Sequence, residues 1–309
     1  MIWANLLHLG YNMWEDWEVP EPPRIHNRSK RPCLRCDLAL WHDLTQQMAD
    51  AGMNMVVIDL AEGVRYQSHP EIAVQGSWTT DQLRTELARL RSLGLEPIPK
   101  MNFSTAHDAW LGEYERMVST SRYYEVVRDL ISEAINLFDQ PRFFHLGMDE
   151  ETWRNQQHYE FAVVRQFDLW WRDFYFMVEQ VENAGSRAWI WSDYLWHHEE
   201  LFWRKMPRSV LQSNWYYEEE FYDFKGLPPD AHETFVNTYR KLEEHGYDQI
   251  PTGSNWSNPV NFGRTVEFCQ SVIAPERLQG FLMTPWKPTL ETWRNHHEAA
   301  IHQVAQAKT

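Results

Sequence analysis

The sequence predicts a (β/α)8 barrel, and three observations predict it. Short apolar runs rich in β-branched and aromatic residues alternate with longer segments of helical periodicity. Eight such runs fall within 309 residues, which is what eight strand–helix units require. The first run leads into HLGYNMWEDWEVPEPPRIHNRSKRP, long and Pro-rich, and not into the Gly-rich phosphate loop that opens many doubly wound sheets. No linker or low-complexity tract divides the chain, so residues 1–309 read as one barrel domain.

The predicted strands are IWANLLHL (2–9), MNMVVIDL (53–60), LEPIPKMNF (95–103), RFFHLGMDE (142–150), RAWIWSDY (187–194), SVLQSNWYY (209–217), YDQIPTGSNW (247–256) and LQGFLMTPW (278–286). Between the first two, Leu40, Leu44 and Met48 share one helical face ending at Gly52. After the second, Leu83, Leu87 and Leu90 recur likewise, with Thr80 or Asp81 as the cap and Gly94 as the stop. Helices are expected over 122–138, 157–184, 231–245, 261–273 and 289–306, and a short one within WHHEELFWRKMP.

Composition narrows the function. A net charge of −15 argues against a nucleic-acid partner, because phosphate binding needs clustered Lys and Arg. No apolar run approaches the ~20 residues of a membrane helix. The start lacks a basic segment before an apolar one, which favours a cytoplasmic location. CLRC is a lone CxxC and reads as free thiols in a surface loop. Tryptophan is the outlier, with 17 residues. Its flat apolar ring with a polar edge suits the C–H faces of a sugar.

In a barrel, chemistry sits at the C-terminal ends of the strands. Those ends carry His8 and Asn12; Asp59 and Glu62; Lys100, Asn102 and His107; His145, Asp149 and Glu150; Trp191 and Asp193; Trp215 and Tyr216; Trp256; and Trp286. Carboxylates among four tryptophans describe a carbohydrate pocket. A metal set drawn from His8, Asp59, His107, His145 and Asp149 is the competitor, but it has neither HxH nor HExxH spacing, so no metal or cofactor is expected. Glycoside hydrolysis needs a carboxyl kept protonated, and a neighbouring carboxylate raises such a pKa. Asp149 beside Glu150 supplies that field, so Glu150 is the expected general acid, while Glu151 is expected to start the next loop or helix. The seventh strand carries no carboxylate for the common two-glutamate scheme.

HLGMDE resembles the H-x-G-G-D-E motif of glycoside hydrolase family 20, the β-N-acetylhexosaminidases, where it also ends strand 4 of a (β/α)8 barrel. The resemblance implies that Asp149 orients a 2-acetamido group, which itself attacks the anomeric carbon, and that Glu150 is the acid/base. IPKMNFSTAH is similar to the family's I-P-E-I-D-M-P-G-H stretch, and WIWSDYLW to its strand-5 W-x-E/D stretch. Trp215 and Trp286 stand where the family lines its sugar pocket. The first strand has no Arg, the strand-3 acids are replaced by Lys100 and Asn102, and WKP stands in place of Trp-x-Glu. No strand-7 Tyr is evident, leaving Trp256 near that place and Tyr216 as a substitute.

Two alternatives stay open within the hydrolase reading. A sugar lacking the acetamido group needs a second carboxylate, from Asp59, Glu62 or Asp193. Exo action follows if the short loops frame a pocket. Outside that reading stand a non-catalytic carbohydrate-binding barrel and a metal-dependent sugar isomerase or hydrolase.

Overall fold

The structure, a computed structural model, describes residues 1–17, 28–157, 159–224 and 229–308. Part of the Pro-rich stretch (18–27), and residue 158 of the expected fourth helix, lie outside the described residues.

Period-2 alternation builds the barrel. The strands are β1 (Ile2–His8), β2 (Met55–Asp59), β3 (Glu96–Lys100), β4 (Phe143–His145), β5 (Arg187–Trp191), β6 (Leu211–Ser213), β7 (Thr252–Gly253) and β8 (Gly280–Met283). Ile2, Ala4 and Leu6 point inward and meet Met55, Val57, Ile98, Phe143, Trp189, Leu211 and Leu282 in one inner cluster. The alternate residues, among them Leu7, Val56, Ile58, Phe144 and Ile190, join the outer core under the helices. All pairings are parallel, in the order β6-β5-β4-β3-β2-β1-β8-β7. The barrel closes between β6 and β7 through two isolated parallel bridges, Gln212 to Gln249 and Trp215 to Thr252.

The helices are α1 (Leu38–Asp50), α2 (Thr80–Ser92), α3 (Ser121–Leu137), α4 (Asp168–Asn183), α5 (Tyr194–His197), α6 (Glu199–Lys205), α7 (Pro229–Glu244), α8 (Asn261–Val272) and α9 (Arg294–Ala307). Leu40, Leu44 and Met48 of α1, and Leu83, Leu87 and Leu90 of α2, are buried as their spacing requires. The cap of α2 is one residue earlier than expected: Thr79 Oγ1 accepts from Gln82 N at 3.1 Å. Gly94 follows the helix at φ +79°, a conformation that costs glycine little. The fourth helix starts eleven residues later than its periodicity suggested, because the preceding loop carries Arg165 back to Glu151. Strands 4, 6, 7 and 8 are shorter than predicted, since their C-terminal residues leave the ladder to form the mouth.

Above the apolar layer the inward phase turns polar. His8, Asp59, Lys100 and His145 are fully buried at the next inward level. Lys100 Nζ donates to Asp59 Oδ2 at 2.5 Å, and His8 Nδ1 lies 3.5 Å from the same oxygen. The layer above this one is the mouth of the barrel.

Candidate active site

The inward phase selects the side chains of the mouth. Two residues beyond Lys100 stands Asn102; beyond His145, in steps of two, stand Gly147 and Asp149; beyond Trp189, Trp191; beyond Ser213, Trp215 and Tyr217. Asn102, Asp149, Trp191, Trp215 and Tyr217 all line a cavity of about 250 Å³. Glu150 is out of phase and lines it nonetheless. Its φ of +54° turns the chain.

That turn is strained and tightly held. Gly147, Met148 and Glu150 have φ of +72°, +73° and +54°. Met148, where the resembled motif has its second Gly, and Glu150 each pay roughly 1–2 kcal/mol for a left-handed conformation. Gly147 is required twice over, since a Cβ there would lie 2.0 Å from Asn102 Oδ1. Asn102 clamps the turn. Its Oδ1 accepts from Met148 N and Ser104 N, both at 3.1 Å, and its Nδ2 donates to Asp149 Oδ1 at 2.7 Å. Asp193 Oδ2 accepts from Glu150 N at 2.8 Å, and Ser104 donates to the Asp149 carbonyl. Strain held by so many bonds is what a preorganised site shows.

His107 bridges the two acids. Its Nε2 lies 3.2 Å from Glu150 Oε2 and 3.4 Å from Asp149 Oδ2. Burial acts to lower the His107 pKa, but the charge of Asp149 and the contact with Glu150 outweigh it and hold the ring above its ordinary value. Burial raises Asp149 above its usual range. Burial, then the charge of Asp149, pushes Asp193 well up. Glu150 goes the other way: burial would raise it, but the hydrogen bond and charge of His107 hold it below its ordinary value. The expected order is thus reversed in the open site, because the histidine faces Glu150 more directly than Asp149 does. One ligand atom each from His107, Asp149 and Glu150 lie within 4.8 Å of one another, close enough to hold a divalent cation.

Several expected site residues are elsewhere. Asp59 and His145 line no part of the cavity; they belong to the polar layer one inward level beneath it. His145 Nδ1 accepts from Gly147 N at 3.0 Å, and its ring lies against Trp191 at 4.3 Å, so it supports the turn from below. Asp193 sits behind Glu150, not in the cavity. Glu62 accepts from Tyr11 N at 2.8 Å and Asn12 N at 3.0 Å and is likewise outside. Tyr216 faces outward, with its hydroxyl 3.0 Å from His232 Nδ1. Glu151, expected to start the next loop or helix, stands in the loop before α4, its side chain buried in an ion pair with Arg165.

Trp191, Trp215, Trp256 and Trp286 do line the cavity, with Asn102, His107, Asp149 and Glu150. Trp191 Nε1 is buried and without a partner among the described residues, while Trp286 Nε1 donates to the Tyr217 hydroxyl at 3.0 Å. Sequence reasoning missed Tyr11, Met13, Trp14, Arg28, Tyr217 and Lys287. Period-2 counting from Ser213 was the signal that could have found Tyr217. The others lie on connections after strands 1 and 8, where no periodicity points.

No protein-family model matches the chain, and no curated protein sequence matches it. Solved structures do. The family 20 exo-β-N-acetylglucosaminidase of Vibrio harveyi, in complex with N-acetylglucosamine, aligns with a TM-score of 0.62 at 12% identity over 97% of this chain and 54% of that one. The N-acetyl-β-hexosaminidase of Streptomyces plicatus gives 0.63 at 12% identity over 97% and 63%. Dispersin B gives 0.59 at 13% identity over 88% and 95%. This chain therefore spans about half the length of the Vibrio enzyme. At such identities the likeness is one of fold, a (β/α)8 barrel, with many family 20 enzymes among the neighbours.

Proposed function

We propose that the chain is a glycoside hydrolase that removes a terminal sugar, with Glu150 as general acid/base and Asp149 as the group that orients a 2-acetamido substituent. One observation carries the reading. Among the described residues the carboxylates lining the cavity are Asp149 and Glu150, adjacent in sequence and set among tryptophans. Asp59, Glu62 and Asp193, the alternatives for a protein nucleophile, lie outside it. A site with an acid and no separate nucleophile suits a reaction in which the substrate's own amide oxygen attacks the anomeric carbon. A pocket of about 250 Å³, rather than a long groove, favours exo action.

The chemistry follows from the groups at hand. Asp149, held by Asn102, accepts the acetamido N–H and steers its carbonyl oxygen to the anomeric carbon. Glu150 gives its proton to the departing glycosidic oxygen and later takes one from water. A bound sugar covers Glu150, whose side chain is 39% exposed in the open pocket. Loss of that water raises the carboxyl, which favours its protonated form. Trp191, Trp215, Trp256 and Trp286 stack the ring, and Tyr217 with the Trp191 N–H meets its hydroxyls.

The test is hydrolysis of aryl glycosides with and without a 2-acetamido group by wild type and Glu150→Gln. Turnover confined to acetamido sugars and lost in the variant is the expected result. Sugar binding without turnover of any of them would replace the hydrolase by a carbohydrate-binding barrel. Turnover abolished by a chelator and restored by a divalent cation would instead move His107, Asp149 and Glu150 into a metal site.

A further inference from the structure

The mouth of the cavity holds two cations as well as two acids. Arg28 and Lys287 both line it, and neither forms an ion pair or hydrogen bond among the described residues. Some surface cations are paired, as Arg187 is with Asp248, Lys241 with Glu199 and Arg294 with Asp43; what sets Arg28 and Lys287 apart is that they line the cavity.

Lys287 is fixed in place without being neutralised. Its Nζ lies 4.2 Å from the ring centroid of Trp256 and 4.4 Å from that of Trp293. Two aromatic faces hold an ammonium in position while leaving its N–H donors free. Arg28 is near enough for its charge to act on Lys287 and on Glu150. Two like charges therefore share the lining of one cavity, the lysine half-buried and the arginine exposed. Burial, and then Arg28, push the Lys287 ammonium below its ordinary value. An anion between them removes that repulsion and meets a guanidinium and an ammonium at once.

A simpler assignment would make both cations counter-charges for the dyad. Arg28 does act on Glu150, but His107 is the larger cause of that acid's downward shift, and Lys287 is not among the main influences on either acid. A neutral sugar would use the N–H donors of Lys287 but not its charge. An acidic sugar needs both cations, because it must approach two carboxylates in a protein of net charge −15.

We propose that the cavity takes a sugar bearing an anionic substituent, a carboxylate or a sulfate ester, which Arg28 and Lys287 bind at the mouth while the ring stacks on the tryptophans below. The inference rests on the sugar-pocket reading given above.

Calorimetric binding of N-acetylglucosamine, N-acetylglucosamine 6-sulfate and glucuronic acid tests it without requiring turnover. Wild type binds at least one acidic sugar about tenfold or more tighter than the neutral one, and the margin shrinks with added salt. Lys287→Met, which keeps the stem between the two tryptophans, and Arg28→Gln each reduce that preference several-fold. Lys287→Arg retains it, and unchanged melting temperatures show that the variants are folded. Preference for the 6-sulfate identifies a sulfated amino sugar. Preference for glucuronic acid identifies a uronide, and it upholds the anion subsite while removing acetamido assistance. Equal or tighter binding of the neutral sugar overturns the subsite even if neutral aryl glycosides are hydrolysed. A preference that survives both Lys287→Met and Arg28→Gln overturns the assignment to these residues. Failure of all three sugars to bind overturns the subsite and the sugar pocket together.

Discussion

Glu150 and Glu151 are neighbours in the chain and opposites in their surroundings. Glu151 is sealed against Arg165, whose Nε and Nη2 donate to its two oxygens at 2.9 and 2.6 Å. Arg165 Nη1 reaches Asp173 at 3.5 Å, and Asp173 also accepts from Ser119 at 2.6 Å and from Tyr124. Every charge there has a partner. One residue earlier, Asp149 and Glu150 share a single histidine, and behind them Asp193 Oδ1 is buried with no hydrogen-bond partner among the described residues. The first cluster ties the loop before α4 to the barrel. The second holds repulsion and left-handed backbone in one place. Pairing marks the part that stabilises, and incomplete pairing marks the part available for chemistry.

The contrast breaks most visibly in activity. Glu150→Gln should lower kcat by roughly 10²–10⁴, the usual worth of a general acid, with the melting temperature nearly unchanged. A loss in stability in place of activity would make Glu150 a second Glu151. Arg165→Met should do the reverse. It leaves Glu151 and Asp173 buried without their cation and should cost about 3–5 kcal/mol in denaturant unfolding. If unfolding is unaffected, the paired cluster is not what holds the loop.

Asp193→Asn should stabilise the fold by about 1 kcal/mol and keep an acceptor for Glu150 N–H. The sign follows from linkage. Asp149 and Asp193 titrate above their ordinary values when folded, so the native state binds more protons than the unfolded chain. Their contribution is present at low pH and is lost as pH rises from the usual aspartate value through the raised ones. Unfolding measured across that window should show a shallower decline in Asp193→Asn than in wild type. The smallest effect separates two adjacent tyrosines. Tyr217→Phe removes the acceptor of Trp286 Nε1 and should raise KM about fivefold, or about 1 kcal/mol, whereas Tyr216→Phe should leave KM alone.

The tyrosine pair also shows how far the sequence could be read. Alternation and helical spacing gave eight strands and most helices, since both are set by which face is buried. The acid pair was legible because HLGMDE is a local motif. What escaped depended on phase and on distant contacts. Asp59 and His145 sit one step of two too deep, and Tyr216 points outward by one residue. Whether Glu151 would meet an arginine fourteen residues away, or His107 would reverse the charge order of the dyad, is decided by tertiary packing that no window of sequence contains.

The closure of the barrel has a kinetic consequence. Seven strand pairs are continuous ladders, although β3 and β4 share only one registered pair; β6 and β7 meet through scattered bridges. Ile250 N donates to Gln212 O, and Thr252 N to Asn214 O, each at 2.9 Å; Gln212 N donates to Asp248 O at 3.1 Å, and Ser213 Oγ to Ile250 O at 2.5 Å. Trp215 stands on this seam, and Tyr217 follows two residues later. Amide hydrogens of Ile250 and Thr252 should therefore exchange with deuterium earlier than those of β1 and β2, and a ligand stacked on Trp215 should slow them. The wall proposed to hold the sugar is thus also the one expected to open first.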